Sequence, residues 1–492
     1  MTSHNRDWPP LRKDAVHAWQ VAALRRYLRD TVIPFSAHYR EKLAGFDPDQ
    51  LRTIGDLRRI PFSSKSDITD RVKDFVIQPD RAVLSRRPGT IVRALFTGRA
   101  AVAEGFEREF RPILMTSTTG RSSEPVAFLY SQHDIDRLAL AGERIMRTCG
   151  ATRDMRMLNL FPFAPHLAFW QAHYAGTEFG VFMVSTGGGK TLGTEGNLRL
   201  LRKIQPDVII GMPTFIYHVM QEAVAHGDKC PKLCKIVLGG EKAPPGLRRK
   251  LAKLAAELGA SRVDVLPIFG FTESKMAWAT CPPPEGEEPC GYHLCPDLGI
   301  VEVIDPKTGE PVGEGEPGEI VFTPIDARGS VVLRYRTGDL ISGGVVHGPC
   351  PHCGRVVPRL VGDISRVSEM KQMQLGKLKG TLVDFNRLEH VLDDFAHIGA
   401  WQIELRKLDD DPLEVDEIVL HVQRLDDTGE EELRRLLNER LATGTELNAN
   451  RIVFHSGAEM RELQGVGKQL KEQRIADNRP KADAPAKETT HA

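Results

Sequence analysis

The sequence predicts an α/β protein. A large N-terminal part, with parallel α/β regions plus a β region, spans residues 1–364. A small C-terminal α+β part spans 365–477, and a disordered tail 478–492. Three observations predict this. Short apolar runs alternate with helix-like stretches through the middle of the chain, the pattern of parallel β–α units. Over 299–335 the pattern changes to β-like segments broken by glycine turns. Past residue 362 strand-like runs and helices alternate again in a segment long enough for one small domain.

In chain order, residues 11–45 carry Val16, Trp19, Leu24 and Leu28 at helical spacing, and Pro61-Phe62-Ser63-Ser64-Lys65 breaks that pattern. The runs 157–161, 181–184, 208–210 and 236–238 read as buried strands. Helical stretches at 197–203 and 246–258 lie between and after them. Turns are expected at 305–309 and 313–318. In the C-terminal part, 401–405 and 418–422 read as strands, and the helix over 431–441 places Leu433, Leu436, Leu437 and Leu441 on one face. The polar, Pro- and Ala-containing end predicts disorder.

Lys plus Arg equals Asp plus Glu, at 66 each, so the basic excess of a nucleic-acid binder is absent. No apolar run reaches membrane-spanning length, and the polar first ten residues lack a signal-peptide core, which predicts a cytoplasmic protein without a membrane span. Five of the eight cysteines fall between Cys281 and Cys353, a clustering that points to a metal rather than to disulfides.

Four short segments carry chemistry. Tyr335-Arg336-Thr337-Gly338-Asp339-Leu340 follows a strand-like run at 329–333 and sets a carboxylate just after a glycine turn, where it can accept from vicinal hydroxyls. Met115-Thr116-Ser117-Thr118-Thr119-Gly120-Arg121-Ser122-Ser123-Glu124-Pro125 offers hydroxyls, backbone N–H groups and a cation to a polyphosphate. The same composition also suits a solvated loop. Phe269-Gly270-Phe271-Thr272-Glu273 follows a strand-like run at 263–268; its ring can stack on a base and its Glu can hold Mg²⁺, or it is an aromatic strand end with a capping Thr. Gly465-Val466-Gly467-Lys468, after a strand-like run at 451–454, reads by itself as a solvated tip.

Taken in order, these segments resemble the adenylate-forming superfamily, and within it the phenylacetate–CoA ligase family. The resemblance begins at Leu57-Arg58-Arg59-Ile60-Pro61-Phe62-Ser63-Ser64-Lys65-Ser66-Asp67-Ile68 and includes Gly239-Gly240-Glu241-Lys242. It implies a large adenylation domain with a small mobile C-terminal domain. A carboxylic acid would attack the α-phosphate of ATP, and coenzyme A would then displace AMP. The resemblance assigns Thr118, Thr119, Gly120 and Arg121 to the β/γ-phosphates, Glu273 to Mg²⁺ and Thr272 to the α-phosphate. Gly240, Glu241, Phe269 and Gly270 go to the adenine side, Asp339 and Arg366 to the ribose, and Lys468 to the reacting oxygens, brought in by domain rotation. It also implies dimerisation.

The chain departs from the family pattern in two places. Arg121 stands where the family has lysine, and it keeps the charge and a bidentate phosphate grip. The hinge admits two placements, at Gly362-Asp363 or at Ser365-Arg366-Val367-Ser368-Glu369-Met370; the second keeps an arginine and leaves a four-residue insertion before Lys379-Gly380. Because thiol acceptors enter there in the family, an amine or a carrier-protein thiol competes with coenzyme A as acceptor. A non-catalytic nucleotide binder is the remaining alternative.

Gly187-Gly188-Gly189-Lys190-Thr191 lacks the first glycine of a Walker A loop, because position 184 is Val184. By resemblance Gly188 and Gly189 lie in a flexible loop near the acyl pocket. The aromatic stretch 161–170, with Phe163, His166 and Phe169, suits either an aromatic acyl pocket or a core helix. Cys350-Pro351-His352-Cys353-Gly354 is a Cys-x-x-Cys knuckle, with Cys281, Cys290, His293 and Cys295 upstream. By resemblance Cys281, His293, Cys350 and Cys353 hold a structural Zn²⁺, with Cys290 competing for the place of Cys281.

Overall fold

Helix α1 (Lys13–Tyr27) buries Val16, Val21, Leu24 and Tyr27 on one face, as its periodicity requires. The exception is Trp19, which the same periodicity assigned to the core: it is 43% exposed. The helix runs on through a wider turn to Phe35, where Ser36 leaves helical geometry and its hydroxyl accepts from the Tyr39 N–H at 3.2 Å. The computed structural model describes residues 12–69, 71–80, 83–84, 87–118, 125–366, 385–407, 416–445, 448–466 and 472–479.

Strands β1 (Pro112–Ser117) and β2 (Ala127–Ser131) form an antiparallel pair, and α2 (Gln132–Thr148) follows. Ser131 and Asp134 make a capping box at the start of α2. Next come β3 (Arg156–Pro162), α3 (Leu167–Phe179), β4 (Phe182–Gly187), α4 (Gly188–Ile204), β5 (Val208–Gly211) and α5 (Pro213–Ala225). They are followed by β6 (Lys235–Leu238), α6 (Pro245–Glu257), β7 (Asp264–Phe271) and β8 (Met276–Ala279). The sheet order is β4-β3-β5-β6-β7-β8, parallel except for the last pair. The four runs read as buried strands are its strands β3 to β6, but β4, at the sheet edge, leaves Phe182 55% exposed and Met183 and Val184 only half-buried. The order reverses direction between β3 and β5, and in open α/β sheets ligands bind at such a crevice, beyond the carboxyl ends of the strands.

Three expectations are corrected. The Gly187–Thr191 stretch is not a loop: Gly187 ends β4 and Gly188 already begins α4, which kinks at Gly193. Phe269, Gly270 and Phe271 lie inside β7 rather than after it, because β8 pairs with them. Residues 329–333 make only an isolated bridge, from Ser330 to Val76, and the strand is the hexapeptide itself.

The remaining strands of this part are β9 (Tyr292–His293), β10 (Gly299–Ile304), β11 (Gly318–Pro324), β12 (Tyr335–Ile341), β13 (Val345–Val346), β14 (Arg359–Leu360) and β15 (Ile364–Arg366). They form two sheets, β10-β11-β12-β15 and β13-β14-β9. Trp278, Phe271, Phe322 and Leu360 pack in one apolar cluster, where the end of β7 meets the β region.

Two compact units result: Met1–Ala243 with Leu251–Arg366, and Pro244–Lys250 with Val367–Ala492. The second contains α7 (Phe385–Asp393), β16 (Ile398–Lys407), β17 (Asp416–Arg424), α8 (Glu430–Thr445), β18 (Arg451–His455), α9 (Gly457–Leu463) and β19 (Ile475–Asp477). Its sheet runs β18-β17-β16-β19 over a core that includes Trp401, Leu420, Leu433 and Leu437. Helix α9 lies between the strand at 451–455 and the glycine turn at Gly465. Among the described residues no helix is long and apolar enough to cross a membrane.

Candidate nucleotide and acyl site

The carboxyl ends of the parallel strands collect the residues singled out in the sequence. Phe163 and His166 follow β3, Gly188 and Gly189 follow β4, Gly240 and Glu241 follow β6, and Thr272 and Glu273 follow β7. Gly240 has φ +82°. The Glu241 carboxylate accepts from the Thr214 hydroxyl at 2.6 Å, at the first turn of α5. Phe269 packs its ring against Phe271, Trp278 and Tyr292, with centroids 5.8, 6.1 and 5.8 Å away. Gly270 faces the opposite side of β7, where a Cβ would come within 2.7 Å of Ala277.

Thr272, Glu273 and Ser274 form a single tight turn. The Ser274 hydroxyl closes it, lying 2.6 Å from the Phe271 carbonyl and 2.8 Å from that of Met276. The Tyr335 hydroxyl donates to the Glu273 carboxylate at 2.7 Å. Burial, and then the Glu273 charge, push the Tyr335 phenol up, so it stays protonated and donates. Motif reading missed this pairing, although Tyr335 opens the hexapeptide; nothing local in the sequence couples two residues that far apart.

Four positions further along β12, Asp339 is buried. Its register partner on β15 is Arg366, whose Nε donates to Asp339 Oδ1 at 3.1 Å. Of the two hinge placements, the one that keeps Arg366 therefore sets an arginine beside Asp339. Gly338, at φ +72°, occupies an irregularity in the β11–β12 register, and its N–H donates to Glu319 at 3.2 Å.

Thr118 directly follows β1. Its N–H donates to the Val126 carbonyl at 3.0 Å and its hydroxyl accepts from the Val126 N–H at 2.9 Å. Thr119, Gly120, Arg121 and Lys468 lie outside the described residues.

Near the expected acyl side, Phe163 is 54% exposed and meets Phe169 edge to face at 5.1 Å. Phe169, Trp170, His173 and Tyr174 continue a half-buried aromatic stripe along α3. The 161–170 stretch is thus only partly a core helix. Its first half leaves β3, and α3 starts only at Leu167. His166 donates from Nδ1 to the Ser117 carbonyl at 2.8 Å, tying this segment to β1.

Away from these residues, β14 pairs with β9 and so brings the 350–353 knuckle to His293. The donor atoms of Cys281, His293, Cys350 and Cys353 all lie within 4.8 Å of one another. Cys281 Sγ is 3.6 Å from Cys350 Sγ, and His293 Nε2 is 3.3 Å from Cys353 Sγ. The Cys353 N–H approaches Cys350 Sγ at 3.5 Å, and His293 Nδ1 faces the Ala279 carbonyl at 3.4 Å, an outer partner that orients the ring. Contact from Cys281 and, behind it, from His293 holds the Cys353 thiol well below the ordinary range against the opposing push of burial. Three sulfurs and one imidazole at this spacing fit a tetrahedral zinc. Cys290 instead groups with Cys281 and His352, although its Sγ is 3.1 Å from that of Cys350.

The AMP-binding enzyme family matches residues 129–325. Phenylacetate–coenzyme A ligase of Escherichia coli is 24% identical over 75% of this chain and 74% of that protein. The phenylacetate–coenzyme A ligase of Thermus thermophilus is 26% identical over 73% and 72%. A crystal structure of 2-hydroxyisobutyryl-CoA ligase in the postadenylation state has the same fold, with TM-score 0.74 and 18% identity over 97% of this chain and 94% of that one. The chain is thus similar in sequence to the AMP-binding enzymes, and among them to the phenylacetate–coenzyme A ligases, and it shares the fold of an acyl-CoA ligase.

Proposed function

We propose that the protein activates a carboxylic acid, of aromatic or aryl-acetic type, as its acyl-adenylate and then forms a thioester with coenzyme A. The single observation that carries this is strand β12, which holds Tyr335 against Glu273 at one end and presents Asp339 beside Arg366 four residues on. One strand thus separates a carboxylate that would hold a metal from one suited to ribose hydroxyls.

In the first step a carboxylate oxygen of the acid attacks the α-phosphorus of ATP and pyrophosphate leaves. Thr118 to Arg121 would hold the β- and γ-phosphates, Thr272 the α-phosphate, and Asp339 with Arg366 the ribose. Glu273 would hold Mg²⁺, which when bound neutralises charge on the phosphate oxygens. Lys468 would act on charge that develops only as the bond forms. In the second step the thiol sulfur attacks the acyl carbon and AMP leaves. The stripe of Phe163, Phe169 and Trp170 supports an aromatic acyl group, because flat rings bury well against such a wall. Cys281, His293, Cys350 and Cys353 would hold a structural zinc.

The test is ATP–pyrophosphate exchange with a panel of acids, including phenylacetate, benzoate and short aliphatic acids, followed by addition of coenzyme A. The proposal expects exchange with at least one aromatic acid and AMP release when the thiol is added. Exchange that coenzyme A leaves unconsumed would transfer the second step to an amine or a carrier-protein thiol. No exchange with any acid would refute the adenylation.

A further inference from the structure

Lys275 is a buried cation that the proposed chemistry does not use. It directly follows the Thr272-Glu273-Ser274 turn, at φ +58° and 6% exposed. Left-handed backbone and burial are both unfavourable for a lysine, so its partners must hold it there. Its Nζ lies 3.2 Å from Asp134 Oδ2, donates to the Arg328 carbonyl at 3.1 Å and sits 4.9 Å from the centre of the Tyr130 ring. Asp134 is itself fixed, accepting the Ser131 N–H at 2.9 Å and the Arg328 N–H at 2.8 Å. Beyond the ring, the Tyr130 hydroxyl oxygen is 3.1 Å from the Thr116 hydroxyl, with both side chains fully buried. Thr116 lies on β1, two residues before Thr118.

We propose that Asp134, Lys275, Tyr130 and Thr116 form a positioning relay that sets the distance between the Glu273 turn and the base of the phosphate loop. The proposal rests on the adenylation reading and adds to it. The Glu273 turn ends β7 of the large sheet, whereas Thr118 follows β1 of the separate two-stranded sheet. No strand pairing joins β1 or β2 to β7 or β8, and the contacts of Lys275 with Asp134 and the Tyr130 ring cross that gap. A buried polar chain suits the task, because each member has one satisfied geometry and leaving it exposes an unpaired group. A divalent cation shared by a carboxylate and phosphate oxygens tolerates only small errors in that distance.

The discriminating variant is Tyr130→Phe, which removes one hydroxyl and keeps the ring under Lys275. The Mg²⁺-dependent gain in ATP affinity, measured by equilibrium dialysis with and without Mg²⁺, is expected to fall about fivefold, and the exchange kcat about tenfold, with KM for the acid unchanged. Thr116→Val should do the same, and the double variant should be no worse than either single one, since both break one contact. Lys275→Met should shift both readouts further in the same direction; if it does not fold, the two milder variants carry the test. Wild-type Mg²⁺ dependence in Tyr130→Phe, additive losses in the double variant, or a lower melting temperature with unchanged Mg²⁺ dependence each overturn the relay. Failure of the adenylation reading looks different: the wild type binds MgATP but exchanges with no acid, and the Mg²⁺ measurement still decides the relay. A wild type that does not bind MgATP overturns both.

Discussion

Asp339 is a carboxylate whose chain neighbours are already satisfied. Its own N–H donates to the Thr337 hydroxyl at 3.0 Å, that hydroxyl donates to the Ile320 carbonyl at 2.8 Å, and Arg366 takes one carboxylate oxygen. The side chain is 4% exposed and its partner Arg366 is 56% exposed, so the pair opens outward at the arginine. If Asp339 binds the ribose, Asp339→Asn exchanges an ionised acceptor for a neutral amide while keeping the shape. A hydrogen bond to a charged group contributes about 1.5–3 kcal/mol, so KM for ATP should rise roughly 10- to 100-fold while KM for the acid stays put. Unchanged kinetics in ATP would remove Asp339 from the nucleotide site. The sequence could propose Asp339 because a Thr-Gly-Asp step is a local signal. It could not propose the Tyr335–Glu273 contact, or Lys275 as more than a surface lysine, since both depend on which strand lies across from which.

At the level of elements, the β9–β14 pairing sets His293 next to the knuckle, 3.3 Å from Cys353 Sγ. Both strands are two residues long, and so short a ladder orders little by itself. A zinc bound by Cys281, His293, Cys350 and Cys353 would clamp it. The purified protein should carry about one zinc per chain, and its removal by chelator should lower the melting temperature; a metal-free preparation with the same melting temperature would rule the clamp out. The knuckle and the four donors were legible in the sequence. Resemblance already favoured Cys281 over Cys290, and Cys281 groups with His293, Cys350 and Cys353, whereas Cys290 groups with Cys281 and His352. In the second unit, His421 on β17 lies between Glu404 on β16 and His455 on β18, with ring nitrogens 3.1 and 2.9 Å from them. Glu404 also accepts from Asn478 at 2.7 Å, and Glu459 acts on His455 from α9. Burial, and then His421, push His455 below its ordinary value of 6.5. The folded state therefore binds fewer protons there than the unfolded state, so the contribution to stability is complete above pH 6.5 and is lost as pH falls through the folded value. Hydrogen exchange in β17, corrected for intrinsic rates, should show protection declining below that pH, and His455→Gln should flatten the decline. Equal protection at neutral and acidic pH in the unmodified protein would dismiss the contribution of His455.

For the whole molecule, alternation of apolar runs predicted the parallel sheet because each buried strand is short, apolar and bounded by Gly or Pro. The same logic failed at Gly187–Thr191, where a glycine cluster suggested a loop and the chain instead starts α4. Glycines there permit the tight exit from β4, and the helix is stabilised further along by Leu198 and Leu201 in the core. The division into two units is what gives Lys468 its interest. Every other residue assigned to the nucleotide precedes the boundary at Arg366 or stands at it, and Lys468 follows it. By resemblance it serves the first half-reaction alone, so the two halves should separate on its removal. Lys468→Ala should lower pyrophosphate exchange by a factor on the order of 10²–10³, the loss typical of one charge-stabilising donor. ATP binding should persist, because Thr118, Glu273 and Asp339 remain. Supplied with preformed acyl-adenylate and coenzyme A, the variant should still release AMP at close to the unmodified rate, because sulfur attack on the acyl carbon does not need a cation at the α-phosphate. Equal loss in both halves would mean that Lys468 supports the fold of the second unit rather than the chemistry, and full exchange would mean that another cation holds the reacting oxygens.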